Sequence, residues 1–115
     1  MDPLTQLQTS IREFVSERDW QKFHDPKSLL LALVGEVGEL AELFQWLPAP
    51  DVAALAAQDP LRARAGEELA DVFIYLLQLA DALGIDLIPV TNEKLNAARS
   101  RFPAADIYGI APIKS

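Results

Sequence analysis

The chain contains no cysteine, so neither a disulfide nor a thiolate metal site can form. It contains one histidine, His24. A zinc centre needs His or Cys ligands, and a di-iron helical bundle needs Glu-x-x-His pairs, so both lack their donors here. Basic residues are few: 10 Lys and Arg stand against 17 Asp and Glu, for a formal net charge of −7. A protein that tracks a nucleic-acid backbone carries a basic stripe, and none is visible. A small polyanion stays admissible if metal ions bridge it to the acids. No long uncharged apolar run exists, so no membrane span is expected. The opening Met1-Asp2-Pro3-Leu4 has no basic region followed by an apolar run, which excludes a visible secretory leader and makes the cytoplasm the default location. Runs of alternating strand residues are also missing.

What is present is apolar and helical in rhythm. Half of the 115 residues are hydrophobic and 23% are charged, the composition of one globular domain with a real core. So much apolar surface on a small domain points to burial between subunits. Asp2-Pro3, Asp25-Pro26 and Asp59-Pro60 each read as an N-cap followed by proline at the first helical position. Leu4, Leu7, Ile11, Phe14 and Val15 mark a first helix to about Arg18. A connector, Asp19 to His24, carries Trp20 and Phe23. The second helix runs to about Trp46, and Pro48, Pro50 and an Ala-rich stretch to Ala57 form a linker with room for one helical turn. The third helix reaches about Leu83, with Gly84 as its C-cap. Asp86 starts the last, with Pro89 in its first turn, and Phe102-Pro103 stops it near Arg101. The class is all-α, four principal helices in a bundle, with a helical domain over 1–103 and an extended tail over 104–115.

The organising stretch is Gly35-Glu36-Val37-Gly38-Glu39-Leu40-Ala41-Glu42-Leu43. At about 100° per residue, Leu29, Ala32, Leu33, Leu40 and Leu43 fall within roughly 60° of Glu36, and Glu39 lies at the edge of the same arc. An unpaired carboxylate on a core-facing arc costs several kcal/mol, or takes up a proton. Glu68-Leu69-Ala70-Asp71 repeats the spacing, with Val72, Tyr75 and Leu79 sharing its arc. One Glu-x-x-Glu alone is more often a solvated helix face. Two of them on apolar arcs of long helices predict a shared cage of four carboxylates, Glu36, Glu39, Glu68 and Asp71. An all-oxygen site suits Mg²⁺, with Mn²⁺ as a substitute. Glu42 and Glu67 lie off the arcs and read as rim groups.

Other residues keep two readings. His24 either contacts substrate or hydrogen-bonds near the start of the second helix. Trp20 and Trp46 either stack a base or pack the core; on a continuous helix Trp46 falls about 20° from Glu39. Tyr75 points the same way as Asp71. Lys94, Arg99 and Arg101 either neutralise phosphate or complement the last helix dipole.

Taken together, these residues resemble the MazG-like all-α nucleotide pyrophosphohydrolases, and most of all their dCTP pyrophosphatase branch. The matching pieces are Arg18-Asp19-Trp20-Gln21-Lys22-Phe23-His24, the run from Leu29 to Trp46, and Glu67-Glu68-Leu69-Ala70-Asp71-Val72-Phe73-Ile74-Tyr75-Leu76. The resemblance spans about residues 4–103. It implies hydrolysis of a nucleoside triphosphate, dCTP or a modified dCTP, to the monophosphate and pyrophosphate. It implies Mg²⁺ on Glu36, Glu39, Glu68 and Asp71, with Glu39 and Glu36 as catalytic carboxylates, and a homo-oligomer, a tetramer in the dCTP branch. Trp20, Trp46 and Tyr75 would line the nucleoside pocket, with Phe23 and His24 near its edge and Lys94 and Arg101 toward phosphate. The chain departs from the pattern twice: Ala98 stands where members commonly carry Asn, and Ile11 where close members carry His. A dUTP or broad-specificity pyrophosphatase is the related reading. A non-catalytic helical oligomerisation module is the unrelated one, and the intact acid quartet argues against it.

Overall fold

The computed structural model describes residues 2–113. Among them six α-helices follow one another: α1 Pro3–Glu17, α2 Pro26–Glu42, α3 Val52–Ala56, α4 Leu61–Ala82, α5 Leu87–Arg101 and α6 Ala104–Ile107. Short 3-10 turns at Gln21–Phe23 and Ala49–Asp51 complete the regular structure, and no strand occurs among the described residues. No single helix among them is long and apolar enough to cross a membrane.

Two of the three Asp-Pro signals do what their chemistry predicts. Asp2 accepts from the Thr5 backbone N–H at 2.9 Å and its hydroxyl at 2.8 Å, and Asp25 treats Ser28 alike at 2.9 and 2.7 Å. Each cap satisfies an orphan donor of the first turn, with proline at N1 where a missing N–H costs nothing. These hydrogen bonds hold both aspartates below the usual carboxylate range. The third differs: α4 begins at Leu61 with Pro60 itself at the N-cap, and Asp59, one residue further out, accepts from Ala63 N–H at 3.1 Å. Gly84 follows the C-cap Leu83 with φ +67°, a left-handed conformation that glycine adopts without Cβ strain.

The chain forms two compact units, residues 1–83 and 84–115. In the first, α2 and α4 make the main helix–helix contact, and α1 meets α4 more lightly. The core lies among them: Leu29 and Leu77 are each 2% exposed, and Val15 and Ala80 are buried with them. Ala32, Leu33, Leu40 and Leu43 are half-buried on the arc that carries Glu36, as the periodicity predicts. The opposite stripes stay bare: Leu30, Leu31, Val34 and Val37 on α2, and Leu69, Phe73 and Leu76 on α4. The second unit is built on α5, with Leu87, Ala98, Phe102 and Ile107 half-buried.

Two further boundaries differ from the sequence reading. The second helix ends at Glu42, not near Trp46. Pro48 has no N–H and disfavours helical backbone at Leu47, so the chain closes early through tight turns, Leu43 N to Leu40 O and Phe44 N to Ala41 O. Within the stretch expected to be extended, Ala104–Ile107 make one helical turn after Pro103, which starts a turn without needing a donor. The last two residues of that stretch lie outside the described ones.

Candidate active site

The acids of α2 and α4 meet. Glu36, Glu39 and Glu68 each offer one carboxylate oxygen, and these oxygens lie within 4.8 Å of one another. The i, i+3 spacing stacks the two α2 acids on one side of that helix, and the α2–α4 packing brings Glu68 to them. Glu36 and Glu68 are half-buried and Glu39 is exposed. Glu36 Oε2 and Glu68 Oε2 are buried with no hydrogen-bond partner. Burial raises the Glu36 pKa above its ordinary value, and the charges of Glu39, Asp71 and Glu68 push it further. Glu68 is raised in the same way, first by burial and then by Glu39. Asp71 is close enough to act on both.

No basic side chain neutralises this cluster: the ion pairs found among the described residues lie at Arg12–Asp81, Arg18–Glu17 and Lys22–Asp19. Buried carboxylate oxygens without donors, gathered from two helices, are what a hard divalent cation takes as ligands. The donor set therefore fits Mg²⁺ or Mn²⁺, with no nitrogen or sulfur among it to favour zinc.

A cleft of about 410 Å³ adjoins the acids, lined by Glu36 and Asp71 at once with Trp20, His24 and Tyr75. Its aromatic wall is ordered by the connector. Asp19 takes a left-handed φ of 54°, tolerated by aspartate, and turns the chain back after α1. Trp20 N then bonds Val15 O at 3.1 Å. Phe14 meets Trp20 edge-on, with ring centroids 5.8 Å apart at 76°. Behind it, the Arg18 guanidinium lies 3.8 Å from the Phe14 centroid and donates to Phe14 O at 2.9 Å. Trp20 stays 44% exposed, leaving indole surface for a ligand.

Of the residues singled out by sequence, the cleft gathers Glu36, Asp71, Trp20, His24 and Tyr75, with Glu39 and Glu68 in the acid cluster beside Glu36. It does not gather Phe23, which is 60% exposed, or Trp46, which is 86% exposed. Helix α2 stops four residues short of Trp46, so the angle it would make with Glu39 on a continuous helix does not apply. Lys94 and Arg101 belong to the second unit, where the Arg101 guanidinium lies 5.1 Å from the Phe102 ring centroid. The sequence reading missed Ser10, Phe14, Ile74 and Gln78 as cleft residues. Gln78 left a signal, as a polar exception in the apolar run from Val72 to Ala80; the others looked like ordinary helix-face residues.

The fold is all-helical and opposes acids from two helices, in a cluster consistent with a divalent metal, beside an aromatic cleft. The chain belongs to the MazG-like family, which it matches over residues 32–110. It is 52% identical over 91 residues to dCTP pyrophosphatase 1 of Rattus norvegicus, covering 79% of this chain and 54% of that protein. To dCTP pyrophosphatase 1 of Homo sapiens it is 50% identical over 92 residues, with 80% and 54% covered. The chain thus spans about half the length of the curated relatives it matches. A crystal structure of a pyrophosphatase from Archaeoglobus fulgidus superposes with a TM-score of 0.83 at 33% identity, over 90% of this chain and 94% of that one.

Proposed function

We propose that this chain is a nucleoside triphosphate pyrophosphohydrolase that cleaves dCTP, or dCTP modified on its base, to the monophosphate and pyrophosphate. The observation that carries the reading is the acid cluster with two buried, unpartnered carboxylate oxygens beside an aromatic cleft. The names of the relatives and of the Archaeoglobus protein support the reaction class.

In this reading Glu36, Glu39, Glu68 and Asp71 hold Mg²⁺, or Mn²⁺ in its place. When bound there, the ion would neutralise triphosphate charge, draw electron density from the attacked phosphorus and make a water more acidic. The protein supplies the rest. Glu39, the exposed member of the oxygen cluster, is open to water and takes its proton, with Glu36 fixing the geometry from the buried side. The water oxygen bonds the α-phosphorus, the bond from that phosphorus to the β-phosphate's bridging oxygen breaks, and pyrophosphate leaves with the electron pair. Trp20 and Tyr75 hold the nucleoside and His24 borders it. Phe23, Trp46, Lys94 and Arg101 are proposed contacts on the family resemblance alone. The bare stripes of α2 and α4 support a homo-oligomer, which the resemblance makes a tetramer.

The test is pyrophosphate release with Mg²⁺ from dCTP, 5-methyl-dCTP, dUTP, dTTP and dATP. Turnover with dCTP or its 5-methyl form preferred is expected. Preference for dUTP or dATP would replace the substrate assignment, and no release from any of the five, with Mg²⁺ or Mn²⁺, would overturn the reaction.

A further inference from the structure

From Asp71 the cleft wall continues along α4 through Tyr75 to Gln78, all three lining the same space. Seven residues make almost two helical turns, so Gln78 lies about 20° round from Asp71 and about 10 Å further along the axis. That separation is comparable to the span from a nucleotide's α-phosphate to the far edge of its base. Gln78 also lines an adjoining cleft of about 340 Å³, which shares Ile11 and His24 with the first.

Gln78 is out of place as packing. Its Oε1 is buried and has no hydrogen-bond partner. Ile11, Phe14 and Ile74 line the cleft with it, and the polar side chains that share the clefts, His24 and Tyr75 among them, leave that oxygen without a donor. A buried amide oxygen with no donor destabilises the empty fold, since its accepting capacity goes unused. The amide presents one donor end and one acceptor end, and a half-turn interchanges them.

We propose that Gln78 is a specificity-determining residue that reads the base edge: Oε1 accepts from the cytosine N4 amino group and Nε2 donates to N3. The acids at one end of the cleft fix the phosphates, Trp20 and Tyr75 flank the ring, and the Gln78 amide meets the matched donor–acceptor pair of the base. This rests on the nucleotide-binding reading above.

The experiment separates the two. Binding of dCMP and of 2-deoxyribose 5-phosphate, which has no base, is measured by titration calorimetry with Mg²⁺ for wild type and for Gln78→Met, which keeps length and volume. Neither ligand needs turnover, so the outcome is independent of pyrophosphate release. Wild type binds dCMP more tightly than the baseless sugar phosphate. Gln78→Met weakens dCMP by roughly tenfold to a hundredfold, leaves 2-deoxyribose 5-phosphate unchanged, and melts no lower than wild type, because an unpaired buried amide has gone. A lower melting temperature would make Gln78 a structural residue and overturn the proposal. So would equal losses for both ligands, dCMP binding within about twofold of wild type, or a wild type indifferent to the base.

Discussion

Glu36 and Glu68 are held in the fold against their own preference for water. Their pKa values are raised, so between the ordinary value of 4.5 and the higher folded value the native state binds more protons than the unfolded one. Stability then falls as pH rises through that window. The metal-free protein should therefore melt higher at about pH 5 than at about pH 7. Further acidification reverses the trend: Asp81, Asp25 and Asp2 are held below their ordinary 3.8, and their stabilisation is lost as they protonate. Saturating Mg²⁺ should flatten the upper part of this profile, since a bound cation competes with the proton. Glu36→Gln removes the buried charge but keeps the shape. Its metal-free form should melt at least as high as wild type while pyrophosphate release drops by about a hundredfold or more. Calorimetric scans across pH, with and without Mg²⁺, check both; a metal-free profile that only falls on acidification would refute the account.

At the scale of elements, α2 and α4 were legible because each joins a strong start signal to an apolar arc interrupted by acids. The arc predicted which α2 side chains turn inward, and Leu29 lies at its centre, almost fully enclosed. Leu29→Ala should cost about 2–5 kcal/mol in denaturant unfolding, and Leu31→Ala, on the bare face, far less in the single chain. The helix ends were read less well. Periodicity continues through Phe44 and Trp46, but the helix ends at Glu42, so the angular placement of Trp46 beside Glu39 no longer holds. The helical turn at Ala104–Ile107 is too short to show a period. The cleft was half legible: charged and aromatic members announce themselves, whereas Ser10, Phe14 and Ile74 become cleft residues only when α1 lies against α4.

On the scale of the whole molecule, the single chain leaves apolar stripes on both of its principal helices, Leu30, Leu31, Val34 and Val37 beside Leu69, Phe73 and Leu76. Contiguous apolar patches of more than a few hundred Å² are uncommon on monomers. Light scattering at micromolar concentration should give a mass well above 12.7 kDa, and Leu31→Glu with Val34→Glu should return it toward that value. A wild-type monomer would contradict the assembly. The ion pair between α1 and α4 carries a different consequence. Arg12 Nη2 and Nε reach Asp81 Oδ1 and Oδ2 at 2.7 and 3.1 Å, raising the guanidinium pKa and lowering the carboxyl's, yet about half of each side chain faces solvent. Such a pair is worth only about 0–1 kcal/mol and weakens as ions screen it. It joins α4 to the helix that carries Ser10, Ile11 and Phe14, whose one fully buried side chain is Val15. Ionic strength thus acts as a latch on one wall of the cleft: amide hydrogens of α1 should exchange faster with deuterium as salt is added, while those at the centres of α2 and α4 keep their protection.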